Sequence, residues 1–270
     1  MDFTIDEKKD HIILYTHRPY KLLYFDTKGN YLEEERMSDL YRSVTLSGRD
    51  LLFVNAEVKK GYMIYSKNLD THEERYIMPM LNHSGVYEYF AWGNPSMLKG
   101  MNTNISFPYV DTLYEAKDGI IKAKYHIDFG KKKLPDYVYK RRTPTSDIVK
   151  LAIDKDYGFG IANFVELKDM VYFTYASGIS VFYSKKDKKV VSFRRMINKD
   201  NSLEVRNIFA HDGNDSVFTS LYSASSFLNF MEILKIRNKF DRLPADIKQM
   251  ASATSENSNP IIFVCTLKGK

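Results

Sequence analysis

The sequence predicts an all-β protein built as a β-propeller, and three observations carry that expectation. One strand-turn-strand phrase recurs: Tyr24-Phe25-Asp26, Ile64-Tyr65-Ser66, Leu113-Tyr114-Glu115 and Phe182-Tyr183-Ser184 each end an apolar strand, followed by a polar turn and a return strand. Hairpins spaced at roughly 40–50 residues per unit fit sheets repeated around an axis, and a sandwich would not so readily repeat one phrase along the whole chain. The return strand after Lys117-Asp118-Gly119 alternates without a break, with Ile121, Ala123, Tyr125, Ile127 and Phe129 against Lys122, Lys124, His126 and Asp128. A period of two behind an Asp-Gly bend is a hairpin signature. Finally, 20 tyrosines and 17 phenylalanines in 270 residues suit pleated, half-buried surfaces.

The elements follow in order. Strands are expected at 12–16 and 20–25, with a return from Tyr31 after the turn at 26–30. A second unit has strands at 41–46, 51–56 and 61–65 and a return around 73–78. A third begins at 86–92, passes Gly93-Asn94-Pro95, and runs through Ile105 into a hairpin from Val110 to Phe129. Its Ile121 to Phe129 stripe is expected between blades, with Lys122 and Lys124 in water. Between 131 and 157 the alternation lapses into lysines, two prolines and an Arg-Arg-Thr-Pro run, read as an exposed insertion with one helical turn at 147–153 within a single domain. Strands resume at 159–166, 171–176, 179–183, 190–195, 203–210 and 216–222, about five blades' worth in all. Phe227, Phe230, Met231 and Leu234 then fall at helical spacing behind Ser225 and Ser226 as N-caps, and Pro244 opens a second short helix. The last strand, 261–267, is apolar enough to need cover on both faces and is expected to pair with 216–222.

Composition narrows the function. No run reaches the roughly 18 apolar residues of a membrane helix. The net charge of +6 is spread in short groups at turns and forms no continuous basic stripe, which argues against nucleic acid as a partner. The single cysteine, Cys265, allows no internal disulfide and reads as a buried strand thiol. Walker loops and the HExxH, GxSxG and CxxC motifs are all absent.

The stretches FPYVDTLYEAKDG, YHIDFGKKKLP, YKLLYFDTKGNYLEE and ENSNPIIFVCTLK together resemble the uncharacterised six-bladed β-propeller proteins of Bacteroides-type bacteria. The resemblance spans nearly the whole chain from about Phe3. It implies a propeller fold and a periplasmic or cell-surface setting, and it supplies no catalytic residues and no cofactor. Members usually begin further upstream, with a leader and a first blade. Here 1–6 looks like the strand after them, and without a signal peptide in this sequence a cytoplasmic setting stays open.

Four residues are candidates for ligand contact. His126 and Asp128, two apart on a strand, could share a face and bind a metal or polarise a nucleophile, although Lys122 and Lys124 beside them disfavour a cation. Asp111 and Tyr114 sit in the distinctive hairpin, where backbone capping and packing between blades are the competing roles. His211-Asp212-Gly213-Asn214-Asp215 spaces oxygen ligands as a calcium loop does, but Leu221 stands where the bidentate glutamate would be, so a plain turn and no bound metal is expected. The leading functional reading is a non-enzymatic binding or scaffold propeller of the cell envelope, contacting a peptide, glycan or protein through loops on one face. The alternative is a glycoside hydrolase or lyase working in the axial funnel, which would need two opposed carboxylates ~5–10 Å apart.

Overall fold

The computed structural model describes residues 2–55, 61–79, 96–99, 102–107, 110–140, 145–175, 178–198, 203–205, 208–210 and 217–266. The expected strand at 86–92, the Gly93-Asn94-Pro95 break and the 211–215 loop lie outside them.

Each apolar alternation becomes one strand of an antiparallel meander. Sheet 1 is β1 (Asp2–Asp6), β2 (His11–His17), β3 (Tyr20–Asp26) and β4 (Tyr31–Arg36), hydrogen-bonded in that order. Sheet 2 is β5 (Tyr41–Ser47), β6 (Asp50–Asn55), β7 (Tyr62–Asn68) and β8 (Glu74–Pro79). Sheet 3 is β9 (Ser96–Lys99), β10 (Thr103–Ser106), β11 (Thr112–Lys117) and β12 (Ile120–His126). Sheet 4 is β13 (Ala162–Glu166), β14 (Met170–Tyr175), β15 (Ile179–Ser184) and β16 (Lys189–Phe193). A short pair, β17 (Met196–Ile197) and β18 (Glu204–Val205), precedes the last sheet, formed by β19 (Ile208–Ala210), β20 (Val217–Tyr222) and β21 (Ile261–Thr266). The stretch expected as one strand at 203–210 is therefore divided between β18 and β19.

The first strands of successive sheets lie side by side, β1 against β5, β5 against β9, β9 against β13 and β13 against β19. This is propeller geometry: each sheet packs face to face on the next while its first strand stays innermost. Alternate side chains of β1 fasten it to β5. The Asp2 carboxylate accepts from Ser43 Oγ (2.7 Å) and Val44 N (2.9 Å), and Thr4 Oγ1 accepts from Leu46 N (3.1 Å). Between sheets 1 and 2 lies an aromatic core of Tyr15, Tyr41, Phe53 and Tyr65, with the Tyr41 and Tyr65 rings stacked at 5.2 Å. Sheets 2 and 3 meet closely at Gly119, whose φ of +72° places a Cβ, were one present, 2.2 Å from Asp50 Oδ2. Only glycine fits that turn.

Three expectations need correction. The β12 stripe does not occupy one face, because the register passes from Tyr114↔Ala123 to Leu113↔Tyr125 and leaves Lys124 in a bulge. The extra residue re-aims the strand. Ile121 packs between sheets 2 and 3, while Tyr125, Ile127 and Phe129 pack between sheets 3 and 4, and Ala123 is exposed. Lys124 is not free in water, since it pairs with Glu115 and, at 2.5 Å, with Glu166. The 131–157 segment holds more than one helical turn: α1 (Tyr137–Lys140) and the eleven-residue α2 (Thr145–Lys155) enclose Leu134, Val138, Ile148, Ala152 and Phe159.

The C-terminal helices are α3 (Ala224–Ile236) and α4 (Ala245–Ala253). The N-cap of α3 is Ser223, two and three residues before the expected Ser225 and Ser226, and its hydroxyl accepts from Ser226 N at 3.2 Å. Phe227, Phe230, Met231 and Leu234 are buried with Tyr222, and Phe263 packs against that cluster. β21 pairs with β20 along its length, as expected. Its expected cover on both faces is overturned, because Ile262 and Val264 are 63% and 64% exposed. Phe3, 59% exposed, shows the same one-sided cover in β1.

Candidate functional site

A polar cavity of about 560 Å3 lies between sheets 1 and 2, beside the aromatic core. Three short segments build it. From sheet 1, β3 supplies Tyr24, and β4 supplies Glu33, Glu34 and Glu35. A bulge between Tyr24 and Phe25 sets the register so that Glu33 stands opposite Tyr24 and Glu35 opposite Leu22. Two carboxylates thus share the face that the apolar side chains of β3 bury against sheet 2. From sheet 2 comes the turn after β7, in which Asn68 Oδ1 accepts from both Asp70 N and Thr71 N at 3.0 Å and carries Asp70 and His72 to the rim. Asp6, Lys9 and His11 enter from the β1–β2 turn.

Ion pairs fix most of these charges. Arg49 forks onto Asp70 (Nε and Nη2, both 2.9 Å) and reaches Asp6 through Nη1 at 2.7 Å, a bidentate geometry that only a guanidinium provides. Hydrogen bonding to Arg49 holds the Asp70 carboxyl below the usual carboxylate range. Glu35 accepts from Lys67, whose side chain is only 7% exposed, and Glu34 pairs with Lys21 at 2.5 Å. Tyr24 is 8% exposed, and burial, reinforced by Glu35, Glu33 and Asp6, pushes its phenol pKa well up. It is therefore a neutral hydroxyl at the wall of an acidic cavity.

The residues singled out from the sequence lie elsewhere. His126 ends β12, and with Asp128 it stands at the mouth of a second cleft of about 340 Å3 between sheets 3 and 4, walled by Tyr125, Phe173 and Tyr183. The Asp128 carboxylate accepts from Gly130 N at 2.7 Å, so it also caps the turn after the strand. Asp111 pairs with Lys133 at 3.5 Å, and its carbonyl accepts from Ile127 N at 2.7 Å. Tyr114 is half-buried against Phe107, edge to face at 6.0 Å, on the side of sheet 3 that meets sheet 2. The structure brings His126 and Asp128 to one cleft and leaves Asp111 and Tyr114 out of it. The residues of the first cavity were missed, although a signal existed in Tyr-Leu-Glu-Glu-Glu-Arg at 31–36, three consecutive glutamates in a return strand, so that carboxylates fall on the same face as the apolar residues of the neighbouring strand.

Among the described residues, no group of three or more histidine, cysteine or carboxylate side chains could hold a metal ion, and no helix is long and apolar enough to cross a membrane. No curated protein matches the chain. Among solved structures it is similar to a Bacteroides fragilis protein described as exported, at 15% identity and a TM-score of 0.71, covering 98% of this chain and 77% of that one. Virginiamycin B lyase of Staphylococcus aureus (12% identity, 81% and 61% covered, TM-score 0.45) and BamB of Moraxella catarrhalis (10%, 80% and 69%, 0.43) are more distant matches. Residues 1–266 match one family along their whole length, and the chain belongs to it: the domain of unknown function DUF4934.

Proposed function

We propose that the protein is a non-enzymatic binding or scaffold propeller of the bacterial cell envelope, and that the cavity between sheets 1 and 2 is where it holds a peptide, glycan or protein group. The observation that carries this reading is the state of the cavity's charges. Asp6 and Asp70 are clamped by one arginine and Glu35 by a buried lysine, so most of the wall's charges are fixed in place by ion pairs. Fixed, preorganised charges serve recognition. Glycoside hydrolysis needs instead a carboxyl kept protonated near neutral pH. In this cavity the Asp70 carboxyl, hydrogen-bonded to Arg49, is displaced the other way, below the usual carboxylate range. The setting outside the cytoplasm belongs to the same proposal, supported by the likeness to the Bacteroides fragilis protein.

The test is a screen of the full chain on glycan and peptide arrays, run in parallel with the Glu33→Gln protein. The expected result is binding without cleavage that weakens in the variant. Release of reducing sugar or unsaturated product from a bound glycan would instead establish the hydrolase or lyase reading.

A further inference from the structure

The protein as a whole carries a net charge of +6, yet five carboxylates, Asp6, Glu33, Glu34, Glu35 and Asp70, line one cavity against the lysines Lys9 and Lys67. Acidic residues alone make no site, since most of these are already paired. What remains unpaired gives the site its character. Glu33 takes part in no ion pair among the described residues, and it stands directly across from Tyr24 in the β3–β4 register. Tyr24 is more than nine-tenths buried, lines the cavity, and its hydroxyl has no hydrogen-bond partner among the described residues. Its oxygen is not one of the sealed, unsatisfied polar atoms, so it opens into the cavity and can exchange water for a ligand's donor. This oxygen, bonded to no described residue, and the unpaired carboxylate share one wall, and both can accept.

We propose that this cavity binds an alkylammonium group, such as a lysine side chain or a free polyamine. The inference rests on the binding reading above and names the chemistry of the ligand. An ammonium is a compact charge with three donors on an apolar stem. Tyr24 Oη and the Glu33 carboxylate receive two of those donors, and Leu69, in the same lining, offers apolar surface to the stem. An anionic ligand meets Glu33 and Glu34 and is repelled. A neutral sugar finds acceptors in excess of donors, because the cavity's ammonium and guanidinium groups already serve Glu35, Asp6 and Asp70.

The experiment is isothermal titration of the full chain with acetyl-Gly-Lys-Gly-amide and with spermidine, which separates the two sources of the group. Acetyl-Gly-Glu-Gly-amide and acetyl-Gly-norleucine-Gly-amide serve as controls. At least one of the two amines is expected to bind, and neither control is. Each of Tyr24→Phe and Glu33→Gln is expected to weaken that amine about tenfold or more, the usual worth of a hydrogen bond to a charged group. Lys189→Ala, at an exposed position in sheet 4, is expected to change nothing. Tyr24→Phe removes a hydroxyl that bonds to no described residue, so its melting temperature should match wild type and loss of binding cannot be put down to unfolding. Amine affinities that are equal in wild type and both variants, or a glutamate peptide that binds as well as the lysine one, overturn the proposal. If array ligands bind wild type and bind Glu33→Gln more weakly while the amines do not bind, the ammonium assignment falls and the binding reading stands. If no ligand of any class binds, both fall.

Discussion

Ending the chain before Ile261 is expected to yield protein that is insoluble or lacks fixed tertiary packing, although so few residues are lost. β21 pairs with β20 from Tyr222↔Ile261 to Val217↔Thr266, so its removal leaves six residues of β20 with an open edge. An apolar edge strand is a template for aggregation. The packing loss is as severe. The Phe263 ring meets Tyr222 edge to face at 5.7 Å and Phe227 at 6.1 Å, and Phe227 is fully buried at the centre of the cluster that seats α3. Without Phe263 the Phe227, Met231 and Leu234 stripe loses a wall, and burial of such a stripe is what holds a helix of this length. Expression of the shortened chain, followed by near-ultraviolet circular dichroism, reads the outcome. A soluble product with an unchanged melting temperature would show that β21 is an appendage.

Glu166→Ala is expected to cost about 1–3 kcal/mol, the range for removing one partner of a part-buried charged hydrogen-bond cluster, with Lys124 still held by Glu115 and Lys185 by the Leu167 carbonyl. The Glu166 side chain is 12% exposed between sheets 3 and 4, and it accepts from Lys124 (2.5 Å), Lys185 (2.6 Å) and the Tyr125 hydroxyl (2.6 Å). Burial pushes its pKa up, but the bonds from the two lysines and Tyr125 outweigh burial and hold it below its ordinary 4.5. A carboxyl depressed in the folded state contributes stability that is fully present above its unfolded value and is lost as pH falls through the folded one. Wild type should therefore lose stability between neutral pH and below pH ~4 more steeply than Glu166→Gln, which no longer titrates there. Parallel stability curves for the two proteins would mean that Glu166 is not held by its lysines.

How much was legible depended on whether the information lay within one strand. Polar turns and period-two runs located every strand of sheets 1 and 2 after β1, because alternation and turn chemistry are local. The bulge at Lys124 was not legible. An uninterrupted alternation from Ile121 to Phe129 looks the same whether or not the partner strand skips a residue, and only pairing with β11 reveals the skip. His126 and Asp128 were selected by spacing, which held them at one cleft even though the strand stops at His126 and Asp128 turns to cap Gly130. The acidic cavity escaped because Tyr24 and Glu33 come from one sheet and Lys67 and Asp70 from the next, and nothing in either segment fixes the face-to-face stacking that joins them. The exposed side of β21 escaped for a related reason: a continuous apolar run signals burial, while the number of covered faces is set by how many sheets surround it.

The central claim, that recognition takes place between the first two sheets, is tested most directly by hydrogen–deuterium exchange on the full chain with and without a ligand recovered from the arrays. Slowed exchange is expected in the three segments that build the cavity, at 7–11, 22–35 and 67–73, with the 124–130 and 171–190 segments unchanged. Protection confined to the cleft beside His126 and Asp128, with none around Tyr24 and Asp70, would contradict the account and move the site to sheets 3 and 4.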